Sequence, residues 1–347
     1  MAACGEPERS TTRESPRAAA AGTATALASA PGDASRASRD EQRSADELRA
    51  AVDELAGFEG IRTLQVWRDG EEIARRAVRG AEWGPYDVKS ASKSLLSALV
   101  GIALERGVLR SVEQTVAELL PPAAFAGLGP AKREITVEDL LTMRSGLGST
   151  SGEHYGAWVA HRDWVRAALE RPLEHPPGTR FTYSTGNSHL LSAILTHATG
   201  RSTRELFREW LGEPLGIEVD GWERSPRGID MGGNAFRISP DELAAFGRLY
   251  LAGGTWEGRR VLPESWITAS TRRHSAGWPD RYGAYGYLWW KPPGRGDAYL
   301  AVGYGGQFLY VDPPTDTLVV VTSSHAPKGA AWDRDVLACI AERIVGP

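Results

Sequence analysis

Ser90 and Lys93 stand three positions apart at the head of an apolar run, "SASKSLLSALVGIALERG". On a helix, residues at i and i+3 share a face, so the hydroxyl and the amine can approach each other. A serine at a helix start also holds its backbone N–H outward, in the positive end of the helix dipole, where it can stabilise an oxyanion. Serine is a poor nucleophile unless a base lies within hydrogen-bond reach. For lysine to be that base, its pKa must fall from about 10.4 to near 7, a cost of ~4 kcal/mol. Burial drives the shift in that direction. From Leu95 to Leu104 nearly every residue is Leu, Ala, Val or Ile, so this helix is apolar on all sides and belongs in a core. Gly107 is its stop signal. The other reading is that Ser90 only caps the helix and Lys93 reaches solvent. So short a motif does not decide between them.

Two further stretches carry candidate chemistry. In "GTRFTYSTGNSHLLSAILTHATG", Tyr183 stands in a small polar loop before another apolar helix. Its phenol can relay protons if it lies near Ser90 and Lys93, although buried tyrosines more often just satisfy a backbone carbonyl. In "AVGYGGQFLYVD", Gly303, Gly305 and Gly306 surround Tyr304 at the junction of two strand-like runs. Glycine there permits close approach of backbone to a ligand. The amide of Gln307 is then a candidate second oxyanion donor beside that of Ser90. A glycine-rich hairpin turn with no ligand is the competing account.

The elements that must position these residues can be read from patterning. "IRTLQVWRDGEEIARRAVRG" alternates apolar and polar residues on both sides of Asp69-Gly70, a hairpin signal. "AYLAVG", "QFLYVD" and "TLVVVTSS" are three more strands, followed by a helix over residues 331–344. The centre of the chain is helical. Thr136 with Asp139, Ser202 with Glu205 and Ser239 with Glu242 resemble capping pairs, the last with Pro240 at the first helical position. Strands at both ends and helices between predict an α+β fold, one antiparallel sheet built from both chain ends with a mostly helical subdomain inserted. Residues 46–108 and 292–347 form its α/β part and 109–291 the helical part, with a cleft where the two meet. Residues 1–45, rich in Ala, Ser, Thr and Arg, read as a disordered tail, and a helix is expected over residues 45–56.

Composition excludes several classes. The net charge of −4 does not suggest a nucleic-acid partner. No apolar run approaches the ~18–20 residues that span a bilayer. The start "MAACGEPERSTTRES" is similar to the cleavage end of a lipoprotein signal, which makes Cys4 a candidate lipid anchor and the protein extracytoplasmic. A cytoplasmic tail with an incidental cysteine is the alternative. There is no Gly-x-Ser-x-Gly elbow and no His-Glu-x-x-His, and His154, His161 and His175 lack metal-ligand spacing. Nothing implies a metal or a cofactor, and the oligomeric state is open.

Taken together, the order and setting of the three stretches resemble the serine β-lactamase and penicillin-recognising family, in its class C β-lactamase-related branch. "EDLLTMRSGLGST", "ISPDELAAFGRLYLAGGTWEGRRVLPESWI" and "YGYLWW" extend the resemblance over roughly residues 46 to 345. It implies a β-lactamase/transpeptidase-like fold, Ser90 as acylated nucleophile, Lys93 as its base and Tyr183 as proton relay. Tyr304, Gly305 and Gly306 fall on the family's Lys-Thr-Gly triplet, and Gln307 follows it as oxyanion donor. Two residues depart from the pattern. Thr185 stands where class C enzymes have asparagine, with Asn187 two residues on as a substitute substrate contact. Tyr304 replaces the triplet's basic residue, and a neutral phenol offers no comparable attraction for a carboxylate. This weighs against an anionic β-lactam and towards a small ester or amide, as in related esterases and 6-aminohexanoate-oligomer hydrolases. Tyr155, Trp158, Trp289 and Trp290 are candidates for an acyl pocket or for core. The expected activity is a serine hydrolase working through an acyl-enzyme. A D-alanyl-D-alanine carboxypeptidase or weak β-lactamase is the alternative, and a non-catalytic ligand-binding module the second.

Overall fold

The computed structural model describes residues 31–326 and 328–346, with side chains from residue 44 onward. Cys4 and the tail up to residue 30 lie outside the described residues. The chain divides into two units, Met1–Ala45 and Asp46–Pro347. The first helix runs Pro31–Gly57, starting upstream of the expected residue 45. Its polar composition argues against a core, but no glycine or proline occurs between residues 33 and 56, and Ala, Arg and Glu are strong helix formers.

Eight strands form one antiparallel sheet in the order Glu71–Ala77, Ile61–Arg68, Thr317–Ser323, Gln307–Asp312, Tyr299–Gly303, Trp290–Lys291, Gly283–Tyr285 and Ser275–Trp278. The N-terminal hairpin therefore lies beside the last strand, with Val66 opposite Val319. Asp69 and Gly70 both take positive φ, 50° and 76°, as a two-residue hairpin turn with the right-handed twist requires. Every residue of the strands from Tyr299, Gln307 and Thr317 is buried, so their apolar runs are continuous rather than alternating. The outer strand Glu71–Ala77 carries charges along an exposed edge, which discourages pairing with another sheet.

One expectation needs correction. The sheet reaches back to Ser275, so a boundary at residue 291 cuts through it. The three extra strands are two to four residues long and rich in glycine and aromatics. Runs that short carry no readable period of two. The three expected capping pairs all form reciprocal boxes, at Thr136, Ser202 and Ser239. The C-terminal helix Ala330–Ala338 continues as a wider helical turn over Cys339–Val345.

Helix Ser92–Glu105 lies between the strand Tyr299–Gly303 and the helix Thr185–Thr199. Every residue from Ser92 to Ala103 is buried. Gly101 lies against the indole of Trp266 so closely that a Cβ there would collide with the ring. Replacing Gly101 with Ala should therefore overpack this contact and cost about 1–3 kcal/mol, read as a lowered midpoint in urea unfolding.

Candidate active site

The turn that carries Ser90 is set by three preceding residues. Tyr86 and Asp87 pair with the strand Phe236–Ile238, and Val88 N donates to Phe236 O at 3.0 Å. Lys89 then takes a left-handed φ of 51°, uncommon for a residue with a side chain. Asp87 holds it there, accepting from Lys89 N at 2.9 Å and from Lys89 Nζ at 2.5 Å. One 3₁₀ turn, Lys89–Ala91, follows and leads into the helix at Ser92. Ser90 thus sits on a constrained turn just before the helix, and among the described residues its N–H has no acceptor.

Lys93 is 1% exposed. Its Nζ lies 2.9 Å from Ser90 Oγ, 2.6 Å from Gly233 O and 3.4 Å from Thr185 Oγ1. None of these is an anion, and no carboxylate among the described residues lies within salt-bridge distance. Burial alone lowers its pKa from 10.5 to about 7. The partners suit a neutral amine. Two N–H groups match Gly233 O and Thr185 Oγ1, which leaves the lone pair for the Ser90 hydroxyl. Gly233, at φ 82°, must be glycine because a Cβ would collide with the Lys93 stem.

Tyr183 brings its phenol into the vicinity of Ser90, and the two line the same cavity, while Lys93 Nζ stands 5.2 Å from its ring centroid. Burial pushes the phenol up to about 12. The ring is held by Trp278 and Trp290, at centroid distances of 5.2 and 5.8 Å. Ser90, Lys93 and Tyr183 therefore converge.

The substrate-contact residues separate into two groups. Thr185 opens its helix, bonds Ser151 Oγ at 3.0 Å and lines the cavity. Asn187, two residues on, lies about 200° round the helix. It is buried, accepting from Ser145 Oγ at 2.9 Å and facing Met143, so it does not reach the cavity. Asn187 is corrected from a substrate contact to a core residue.

The glycine-rich hairpin also differs from expectation. Gln307 is fully buried, pairs opposite Gly303 and ties its side-chain amide to Ser323 N and O. It does not line the cavity, and Gly306 backs onto Trp332 instead. Gly303 passes so close to Val88 O that a Cβ would collide with it, which brings the next residue alongside the Ser90 turn. Tyr304 and Gly305 do line the cavity, and among the described residues the Tyr304 N–H has no acceptor.

The cavity has a volume of about 680 Å³. Tyr155 and Trp290 line it, whereas Trp158 and Trp289 are core. Several of its residues were not anticipated from sequence, among them Ser151, Asn234, Trp278 and Lys328. Asn234 donates to Tyr155 Oη at 2.7 Å. The cluster "MGGN", residues 231–234, was the available signal for Gly233 and Asn234, since adjacent glycines before an asparagine mark a turn. Among the described residues no cluster of His, Cys, Asp and Glu could hold a metal ion, and no helix is long and apolar enough to cross a membrane.

Comparison with known proteins bears on the family and the fold. A family model described as Beta-lactamase matches residues 48–341. A 6-aminohexanoate-dimer hydrolase from Paenarthrobacter ureafaciens is 25% identical over 282 residues, covering 74% of this chain and 70% of the relative. Among solved structures, EstCE1, a hydrolase with promiscuous acyltransferase activity, superposes with TM-score 0.70 at 15% identity, covering 87% and 99% of the two chains. A penicillin-binding protein homologue from Caulobacter crescentus gives 0.66 at 20% identity, covering 85% and 96%. At such identities the two structures speak for the fold alone, an antiparallel sheet flanked by helices.

The buried amine has a measurable consequence. Because the folded protein releases the Lys93 proton near 7 and the unfolded chain near 10.5, the unfolded state binds more protons between those values. Stability then rises with pH in that window. The stability difference between wild type and Lys93→Met should move in favour of wild type from pH 7 to pH 9, by about 1.4 kcal/mol per pH unit at most, measured by urea unfolding.

Proposed function

The chain belongs to the Beta-lactamase family and is a serine hydrolase of it, and on that premise we propose that it cleaves small amides or esters through an acyl-enzyme on Ser90. The observation that carries this reading is the buried Lys93 amine, 2.9 Å from Ser90 Oγ and without a counter-charge among the described residues. A lysine lowered to about 7 is half unprotonated at neutral pH, whereas a phenol raised to about 12 remains protonated. Lys93 is therefore the base in acylation, and Tyr183 acts as donor and relay.

In the proposed sequence, Ser90 Oγ attacks the substrate carbonyl and its proton passes to Lys93. The carbonyl π pair moves onto oxygen, where the Ser90 and Tyr304 N–H groups receive it. Tyr304 takes the role assigned from sequence to Gln307, because it lines the cavity, its N–H has no acceptor among the described residues, and it directly follows Gly303, which packs against Val88 O in the turn before Ser90. The tetrahedral intermediate then expels the alcohol or amine, which takes a proton from Lys93 through Tyr183. Water attacks the acyl-enzyme by the same route in reverse, releasing the acid and restoring the Ser90 hydroxyl. The relative from P. ureafaciens is named for the 6-aminohexanoate dimer, which supports an amide among the substrates.

A fluorophosphonate probe should label Ser90 and be detected by intact mass. An unlabelled folded protein would overturn the assignment. Lys93→Ala should slow acylation by an activated ester about 10²- to 10⁴-fold. Since the unprotonated amine is the active form, the wild-type acylation rate should climb with pH and level off above about 7. A rate that falls through that range in a pH-stopped-flow series would exclude Lys93 as base.

A further inference from the structure

We propose that Lys328 binds a carboxylate carried by the substrate, restoring by another route the positive charge missing at Tyr304. The proposal rests on the reading of Ser90 as nucleophile and adds a substrate class to it. Only five lysines occur in the chain, and three of them, Lys89, Lys93 and Lys328, gather at this site.

The charges on the cavity wall are unequally compensated. Lys89 is paired with Asp87 at 2.5 Å. Arg281 is paired with Asp333, Nε to Oδ2 at 2.8 Å, and the same carboxylate accepts from Tyr282 Oη at 2.6 Å. His325 Nε2 meets Asp87 O at 2.8 Å. Lys328 alone among the described lysines and arginines lining the cavity has no carboxylate within salt-bridge distance.

Its geometry is fixed all the same. The Nζ donates to Gly305 O and Ser324 O, both at 2.8 Å, with longer contacts of 3.5 Å to Ser324 Oγ and Ala326 O. The stem crosses Gly60, where a Cβ would stand 2.8 Å from Lys328 Cε, and the ammonium lies 5.0 Å from the Trp332 ring centroid. All four of these acceptors are neutral, and the two at 3.5 Å are long, so the ammonium has no carboxylate in contact, with Asp333 and Glu59 acting on it only at longer range. Gly305 is the residue after Tyr304, so the ammonium is held against the hairpin flanking Ser90. A carboxylate is the ligand this arrangement fits: a single negative charge, bound by a charge-assisted hydrogen bond. Trp278, Tyr282 and Trp290 offer an apolar wall for the spacer joining it to the scissile carbonyl. Trp278 and Tyr304 are two of the three exposed large apolar side chains among the described residues, at 39% and 57%.

Matched ester pairs test this. The first pair, p-nitrophenyl hydrogen glutarate and its methyl ester, places the carboxylate on the acyl side. The second, 4-acetoxybenzoate and its methyl ester, places it on the leaving group. In at least one pair, wild type should favour the charged member in kcat/KM by about tenfold or more, mainly through KM. In Lys328→Met that ratio should fall towards one, and Lys328→Arg should keep most of it. A wild-type ratio at or below one in both pairs overturns the proposal, as does a ratio unchanged in Lys328→Met. Should that variant not fold, the wild-type ratio must shrink from low to high salt, and a salt-independent preference overturns it. Ser90→Ala is the separate control. Retained turnover of the neutral esters in that variant refutes the nucleophile assignment whatever the ratios are.

Discussion

The site depends on an amine held away from water with no counter-ion among the described residues. Lys93 has an alcohol, a carbonyl and a second hydroxyl as partners, all neutral, at the foot of a helix buried on every side. In such surroundings the charged form loses its hydration and gains nothing equivalent, so the proton becomes easy to remove. The same term that disfavours the folded state at low pH makes the residue a base at neutral pH. An aspartate placed beside it would relieve the cost and would also restore the charge, removing the base. The absence of any carboxylate within salt-bridge distance, among the described residues, is thus part of the chemistry.

Holding a lone amine dry requires several backbone segments to come very close. Gly233 passes against the Lys93 stem and Gly303 against Val88 O, each at a separation that admits no Cβ. Lys89 adopts a left-handed conformation so that the chain can turn sharply before Ser90, with Asp87 holding both its N–H and its amine. These contacts join the strand Tyr299–Gly303, the turn before Ser90 and the Gly232-Gly233 turn around one point. The large sheet supplies the rigid edge on which the hairpin 303–307 can be placed so near a helix start.

Much of this arrangement was legible in the residues. The uniformly apolar run after Ser90 read as a core helix, which left burial or escape to solvent open for the lysine at its foot, and the structure buries it. Asp69-Gly70 and the capping pairs at 136, 202 and 239 acted as local signals and folded as local signals do. What sequence misjudged lies where local rules stop. Asn187 looked available because it is a polar residue near Tyr183, yet the helical turn directs it at Ser145. Gln307 followed the glycine triplet in the chain, but strand register buried it opposite Gly303. The strands from Ser275 to Lys291 were too short for a period to show.

The sequence by itself determined which hydroxyl, amine and phenol are candidates for the chemistry, because their types and their helix-start setting are properties of short segments. It also determined the antiparallel sheet built from both chain ends, because hairpin and strand patterning are local. Only the tertiary structure decided which polar groups share the cavity. Lys328, Asn234, Ser151 and Trp278 come from distant positions, and no spacing along the chain encodes their approach. The balance of charge around the cavity was decided there too. Whether a lysine is paired depends on which carboxylates fold beside it, and Coulomb attraction falls with distance in space whatever the separation in sequence.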